Sequence, residues 1–160
     1  MVAKKKKKAN GNPGVLATNR KARRDYHILE TFEAGIELQG TEVKSLRQGG
    51  ASLQEGYARI DNQLQLWLCG CNIPPYDHGN IHNHSPVRDR RLLMHKKEIL
   101  RLHSKVCEKG LTLVPMRFYL KSGRVKVELA LAKGKNVVDK RETLKRKTAD
   151  LEARRAMRRR

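Results

Sequence analysis

The sequence predicts a small antiparallel β-barrel of the OB type, with two or three short helices and a basic C-terminal tail. Short segments with strand character, mostly separated by turn signals, run from Tyr26 to Ala132. Positive charge is concentrated at the two ends of the chain. Residues 1–26 and residues 133–160 each carry a net charge of +8, whereas the 106 residues between them carry only +4. This distribution is typical of one ordinary folded domain with a charged arm at each end.

The domain boundaries follow from this pattern. We expect residues 1–17 to form a disordered basic lead, because five consecutive lysines repel one another and Gly11, Pro13 and Gly14 interrupt regular structure. The barrel is predicted to span residues 18–132, and the tail residues 133–160.

The first predicted elements are a strand over 26–32, a turn over 33–35 and a returning strand over 36–38. Next, Thr41–Gly49 has the features of a short helix, with Thr41 as its cap and Gly49 as its end. Strands over 57–60 and 64–70 flank Asp61 and Asn62, which is a hairpin signal.

A loop is predicted over residues 72–86, because they are rich in Pro, Gly, Asn and Asp. Residues 88–110 are predicted to form a helix, since Leu92, Ile99, Leu102 and Val106 recur at helical spacing. Two strands complete the chain of elements. The first covers 111–120, where Pro115 indicates an edge or a bulge, and the second covers 124–132 with clean alternation.

The net charge of +20, from 36 basic and 16 acidic side chains, predicts a polyanionic partner, most often nucleic acid. A membrane surface would require a basic helix with a strong apolar face. The tail has no such face, because its large apolar side chains after Asp139 are only Leu144, Leu151 and Met157. Three cysteines and a start without an apolar signal core predict a cytoplasmic protein that does not contact membranes.

Two basic motifs are candidate RNA contacts. NRKARRDY places Asn19 and Lys21 at the mouth of the first strand, where they could meet phosphate, ribose or a base edge. In GTEVKSLRQG, Glu42 stands beside a basic pair, Lys44 and Arg47, which are three residues apart on one helical face. Spacing leaves two interpretations of Glu42, an RNA-facing carboxylate or an ordinary charge pair within a helix.

No motif indicates an enzyme. The chain has no Gly-rich phosphate loop, nucleophile elbow or HExxH motif. Asp77, His78, His82 and His84, with Cys69 and Cys71 near them in sequence, could suggest a metal site, but their spacing fits no common zinc pattern. We therefore expect no metal or other cofactor, and a function based on binding.

The tail has good helix propensity, because residues 139–160 contain neither Pro nor Gly and are rich in Ala, Lys, Arg and Glu. Mutual repulsion and a thin apolar stripe oppose helix formation in isolation. We predict a tail that is disordered when free and helical once a polyanion neutralises it.

Six motifs occur together in one order: NRKARRDY, FEAGIELQGTEVKSLRQG, NIPPY, RDRRLLMHKKEI, GLTLVP and KVELALAKGKNVVDKRE. In this combination the sequence, from about Thr18 to the C-terminus, resembles the SsrA-binding (small protein B) family, the tmRNA-binding proteins of bacterial trans-translation. The resemblance implies an OB-like barrel and a histidine-bearing loop without metal. It also implies binding to the tRNA-like domain of tmRNA and delivery of alanyl-tmRNA to stalled ribosomes.

The resemblance implies further partners: small-subunit rRNA, and indirectly elongation factor Tu and alanyl-tRNA synthetase. We expect a monomer. The tail is expected to enter the decoding centre and the empty mRNA channel, where it becomes helical.

Residues important for tmRNA binding in the family match Glu33, Leu93 and Lys126. Others lie in motifs that resemble its RNA-facing surface: Asn19, Lys21, Glu42, Lys44 and Arg47. The tail residues implied at the ribosome are Lys133, Lys135, Asp139, Lys140, Arg141, Lys145, Arg146, Arg154 and Arg155. Val138 departs from the polar or aromatic residues that the family has before the aspartate.

Two other hypotheses remain open from the residues alone. A general rRNA-binding protein or RNA chaperone would carry the same charge without preferring tmRNA. A metal-dependent nuclease would use the histidine loop.

Overall fold

The computed structural model describes residues 14–158. Residues 1–13 of the predicted lead therefore lie outside the described part of the chain. Residues 15–17, which were predicted to belong to this lead, instead form most of the first strand. That strand pairs antiparallel with the sixth strand, and Leu16 and Ala17 pack against the core. The barrel thus begins at Val15, because these side chains gain apolar contacts there.

Seven strands make up the sheet: β1 (Val15–Thr18), β2 (Tyr26–Ile36), β3 (Tyr57–Ile60), β4 (Leu66–Cys69), β5 (Arg90–Leu93), β6 (Thr112–Lys121) and β7 (Arg124–Gly134). Four helices accompany them: α1 (Ala22–Asp25), α2 (Gly40–Gln48), α3 (Lys96–Lys109) and α4 (Val137–Arg158). A 3-10 turn at Asn80–His82 lies in the loop between β4 and β5.

The sheet closes on itself. Its order is β6-β3-β4-β5-β2-β7, and β7 pairs again with β6, while β1 adds to β6 outside the ring. All these pairings are antiparallel. A closed ring leaves few unpaired backbone groups along its strands. The predicted antiparallel OB-like barrel is confirmed.

The barrel interior holds the main apolar core. Its most buried members include Leu66, Leu68, Phe118, Val127 and Leu129, each fully or almost fully shielded from solvent. The alternation predicted for β7 is therefore confirmed from Val125 to Leu129, whereas Ala130 and Ala132 are buried as well. A second, smaller cluster lies on the other side of β6 and β7, and its buried members are Ala22, Val114, Met116, Ala130 and Ala132.

Three local signals in the sequence are confirmed, at a hairpin, a bulge and a helix end. The Asp61 carboxylate accepts hydrogen bonds from the amides of Gln63 and Gln65 and from the Trp67 indole, which fixes the β3–β4 hairpin. A register shift in β6 follows Pro115, as expected for a residue that cannot donate to the ladder. Helix α2 ends at Gly49, which adopts the left-handed conformation.

The predicted turn over residues 33–35 is wrong, because β2 continues through it to Ile36. Ala34 is buried in the core, and Gly35 pairs with β7 on one side and with β5 on the other. A Cβ on Gly35 would lie 3.2 Å from the Leu93 Cβ. Glycine here allows a close approach of two strands and does not mark a turn.

The predicted helix over 88–110 is wrong in its first part. Arg90 and Leu92 are buried while Arg91 and Leu93 are exposed, an alternation that places 90–93 in strand β5. The helix begins only at Lys96. The sequence pattern misled because Arg90 is a buried arginine, so its inward position carries no apolar signal.

The tail boundary also shifts. Strand β7 continues to Gly134, so Lys133 belongs to the barrel's sheet, and helix α4 occupies Val137–Arg158. The tail is thus helical in the structure, as its helix propensity suggests. Its disorder in the absence of a polyanion stays a prediction.

Candidate nucleic-acid interface

The outer face of the barrel between β2, β7 and β6 brings several candidate residues together. Ala34, Val127 and Phe118 point into the core from these three strands. Because strand side chains alternate, their neighbours Glu33, Lys126, Tyr119 and Lys121 stand on the outer face. This face is partly open to solvent, with Lys121 and Glu33 exposed and Lys126 half-buried.

Glu33 is the centre of this face. Its carboxylate accepts a hydrogen bond from the Tyr119 hydroxyl at 2.5 Å and from Lys121 Nζ at 2.9 and 3.1 Å. Lys126 Nζ lies 3.7 Å from the same carboxylate. The Tyr119 hydrogen bond, followed by that of Lys121, lowers the pKa of Glu33, so the carboxylate is ionised at neutral pH.

Leu93 and Lys126 lie on opposite sides of β2. In the sheet register both residues pair with Gly35, Leu93 from β5 and Lys126 from β7. A groove of about 330 Å³ opens here, lined by Gly35, Ile36, Leu38, Val43, Leu93, Gly123, Arg124, Val125 and Lys126. The Leu93 side chain is 52% exposed at this groove. An exposed apolar residue beside basic ones suits a base or ribose next to a phosphate.

Glu42 does not face a partner. Its side chain is only 5% exposed and accepts hydrogen bonds from Arg88 at 2.6 and 2.9 Å and from Arg90 at 2.9 Å. Burial would raise the pKa of Glu42, but the hydrogen bonds from Arg88 and Gln39 and the charges of Arg90 and Arg88 outweigh it, so the pKa is lowered. The carboxylate holds α2 to β5 inside the protein, and we withdraw it as an RNA contact.

Asn19 is also structural. Its side-chain amide donates to the carbonyls of Leu53 and Pro115, at 2.9 and 3.1 Å, and its oxygen accepts from the Ala22 amide. With 2% exposure, it joins β1, α1 and β6 and offers no surface to RNA. The predicted contact at Asn19 is therefore withdrawn as well.

Lys21, Lys44 and Arg47 are exposed. Lys21 lies 3.4 Å from Glu55, and Lys44 lies over the ring of Tyr76, 5.5 Å from its centroid. Lys44 thereby lines a groove against the loop between β4 and β5, together with Tyr76, His78, His82 and His84.

The base of the tail helix is attached to the barrel. The Lys135 amide donates to the Asp25 carbonyl at 2.9 Å, and Lys140 lies 3.7 Å from the Asp25 carboxylate. Asp139 lies 3.4 Å from His27 on β2. These contacts direct the first turns of α4 along the start of β2. Farther along the tail, basic residues are exposed to solvent: Arg141, Lys145, Arg146, Arg154 and Arg155.

The histidine loop gathers no metal ligands. Within residues 14–158, no group of three or more His, Cys, Asp or Glu side chains is arranged to hold a metal ion. Cys69 and Cys71 are buried in the barrel, and burial raises the pKa of the Cys71 thiol to about 12. Nor does this part of the chain contain a helix of the length and apolarity needed to span a bilayer.

Comparison with known proteins decides the family. The family model described as SmpB protein matches residues 16–159. An SsrA-binding protein of Corynebacterium glutamicum (strain R) is 54% identical over 159 residues, which cover 99% of this chain and 96% of the relative.

The chain belongs to the SmpB family. Another relative, the SsrA-binding protein of Desulforudis audaxviator (strain MP104C), is 57% identical over 144 residues, covering 90% of this chain and 94% of the relative. A solved SmpB structure, described as "tmRNA-SmpB: a journey to the center of the bacterial ribosome", superposes with a TM-score of 0.65 at 49% identity. The match covers 79% of this chain and 87% of that one. The family resemblance is thus confirmed.

Two residues on the outer face beside Glu33 escaped sequence reasoning, namely Tyr119 and Lys121. The strand prediction for 111–120 was correct, but the bulge after Pro115 obscures which side chains alternate outward. Once the register is known, Arg117, Tyr119 and Lys121 share the outer face with Lys126. The only signal in the sequence was that Arg117, Tyr119 and Lys121 are every second residue near the end of the strand, which places them on one face.

Proposed function

We propose that this chain binds the tRNA-like domain of tmRNA with the surface around Gly35 and delivers alanyl-tmRNA to stalled ribosomes. One observation carries the proposal. Glu33, Leu93 and Lys126, which come from three separate strands, converge on that surface. The names of the similar proteins support it, since they describe SsrA-binding and a complex of tmRNA with SmpB.

The chemistry of this surface suits folded RNA. Lys126 and Arg124 line the groove and can meet phosphates, while the exposed Leu93 can contact the apolar face of a base or ribose. A net charge of +20 provides long-range attraction to a polyanion.

The tail is proposed to act on the ribosome. Helix α4 has 22 residues, which corresponds to about 33 Å. Its exposed Lys and Arg residues can follow rRNA phosphates in the decoding centre and in an mRNA channel that holds no message. A message would occupy the same path, so the tail distinguishes stalled ribosomes from translating ones. Lys135, Asp139 and Lys140 form the base of this arm, Lys133 lies just before it at the end of β7, and the remaining basic residues form its length.

The wider assembly follows from this role. Small-subunit rRNA is the direct ribosomal partner, and elongation factor Tu and alanyl-tRNA synthetase are indirect partners through alanyl-tmRNA. The protein acts as a cytoplasmic monomer and through binding alone.

A competition assay tests the proposal. A labelled tRNA-like domain of tmRNA competes against bulk tRNA and an unrelated hairpin of equal length at near-physiological salt, because low salt favours any basic protein. We expect a preference of about a hundredfold, equivalent to ~2.7 kcal/mol. Equal affinity for all three RNAs would instead identify a general rRNA-binding protein or RNA chaperone.

A further inference from the structure

Lys121 lies at the end of β6, outside every residue set assigned above to tmRNA. In the sheet register it pairs with Arg124 of β7, and two positions earlier Tyr119 pairs with Lys126. Lys121, Arg124 and Lys126 therefore form a continuous basic edge next to the Leu93 groove.

Glu33 on β2 holds two of these lysines, Lys126 on the adjacent strand β7 and Lys121 on β6 beyond it. Both of its carboxylate oxygens lie within 3.1 Å of Lys121 Nζ, and the Lys126 ammonium is 3.7 Å from one of them. Three unit charges thus sit in one cluster with a net charge of +1. An ammonium on a flexible four-carbon stem would otherwise sample many positions, at a cost in side-chain entropy when it binds.

Tyr119 fixes the carboxylate in turn. Its hydroxyl donates to Glu33 at 2.5 Å, and its ring packs against the Arg117 guanidinium with 5.4 Å between guanidinium carbon and ring centroid. Arg117 is itself held by Glu128, with 2.7 Å between Nε and Oε2. Burial and the Glu33 carboxylate raise the pKa of Tyr119 to about 12, so the hydroxyl stays a donor at neutral pH.

We propose that Lys121 and Lys126 form a two-lysine phosphate clamp for RNA, and that Glu33 and Tyr119 are positioning residues that hold it. The inference rests on the proposed function for the identity of the RNA. It assigns to Glu33 the role of arranging two ammonium groups, and it adds Lys121 to the binding surface.

The geometry favours this role over a direct contact between Glu33 and a base. The Oε2 atom already accepts from Tyr119 and Lys121, and Oε1 accepts from Lys121 and faces Lys126. A carboxylate placed alone against RNA would repel phosphate. With two lysines beside it, the cluster is cationic and attracts phosphate.

The test measures the affinity of the full-length protein for the tRNA-like domain of tmRNA at several salt concentrations. The variants are Lys121→Ala, Lys121→Arg, Tyr119→Phe, Glu33→Ala and the double variant Glu33→Ala/Lys121→Ala. Lys97→Ala, which removes one exposed positive charge on α3, is the matched control. Thermal unfolding of each variant verifies that the barrel is intact.

We expect Lys121→Ala to weaken binding about tenfold and to lower the slope of log K against log salt by about one, as for a lost phosphate contact. Lys121→Arg should retain both affinity and slope, and Lys97→Ala should change neither by as much. Glu33→Ala should weaken binding although it raises the net charge. The double variant should lose less affinity than the sum of the two single losses, because Glu33 acts in part through Lys121.

The clamp proposal would be overturned if Lys121→Ala bound with wild-type affinity and with the wild-type slope of log K against log salt. Full additivity of the two single changes would also overturn it, since Glu33 would then act on RNA independently. These failures differ from failure of the proposed function, which would show as equal affinity of the wild-type protein for the tRNA-like domain and an unrelated hairpin. Reduced slope in Lys121→Ala on either RNA would still support the clamp.

Discussion

Leu93 and Lys126 pair with the same residue of β2, Gly35, from its two sides. They lie 33 positions apart in the chain, yet the closed barrel brings them to one groove. The absence of a side chain at Gly35 leaves the space in which the Leu93 side chain sits, since a Cβ there would be 3.2 Å from it. This junction of β5, β2 and β7 is the centre of the proposed tmRNA surface.

Replacing Leu93 with alanine should weaken binding to the tRNA-like domain about tenfold, because the apolar contact with a base or ribose is lost. The free energy of unfolding should barely change, since the side chain is 52% exposed. Leu100→Ala is the matched control, with a leucine 46% exposed on α3. Fluorescence titration and thermal unfolding measure the two effects. Equal losses of affinity in both variants would remove Leu93 from the interface.

The Glu42→Gln change should destabilise the fold by about 3 kcal/mol or more, because it leaves the charges of Arg88 and Arg90 without their carboxylate. Urea unfolding measures the loss. Glu152→Gln, an exposed glutamate on α4, should change stability by less than about 0.5 kcal/mol. A stable Glu42→Gln protein with selectively weakened RNA binding would return Glu42 to the interface.

Acid should destabilise the protein through the same carboxylate. The pKa of Glu42 is lower in the folded protein than its ordinary value of 4.5. Its contribution is therefore fully present above about pH 4.5 and is lost as pH falls towards the lower folded value. Unfolding curves measured between about pH 3 and about pH 6 should show that the free energy of unfolding falls more steeply with acid in the wild type than in Glu42→Gln. Parallel pH profiles for the two proteins would contradict the pKa direction.

Sequence reasoning located the barrel and most of its elements, because alternation, hairpin residues and glycine stops are local signals. It failed where a residue's role depends on distant strands. The sequence predicts a turn at Gly35, but this residue permits a close approach of two strands. The segment of β5 was predicted as part of a helix, because the buried Arg90 interrupts the apolar pattern that indicates a strand.

The candidate site divides in the same way. Glu33, Leu93 and Lys126 were found through the family resemblance, and the structure brings them together. Asn19 and Glu42 lie in basic motifs but point inward, which no spacing rule distinguishes from an outward position. Tyr119 and Lys121 were missed because only the strand register shows that they reach Glu33.

The base of α4 should be ordered in the free protein, because the Lys135 amide donates a hydrogen bond to the Asp25 carbonyl and Lys140 forms an ion pair with the Asp25 carboxylate. Hydrogen exchange should show stronger protection over residues 135–143 than over 150–158, which make no ion pair with the barrel among the described contacts. The double change Asp25→Ala/Asp139→Ala should reduce protection at the base, whereas Glu152→Ala should not. Uniform, rapid exchange along the wild-type tail would show that this attachment does not persist.

The most direct test of the account separates the barrel from the tail in one reconstituted reaction. Ribosomes stalled on a message without a stop codon receive alanyl-tmRNA with either the full-length protein or a chain ending at Lys135, and tagging of the nascent peptide is measured. Binding of each protein to the tRNA-like domain is measured in parallel. We predict that the shortened chain keeps its RNA affinity within a few-fold at near-physiological salt and supports no tagging. Tagging at the full rate without the tail would contradict the proposed role of the tail. If the shortened chain no longer bound the tRNA-like domain, the proposal would also fail, because the tail would then be a general electrostatic anchor.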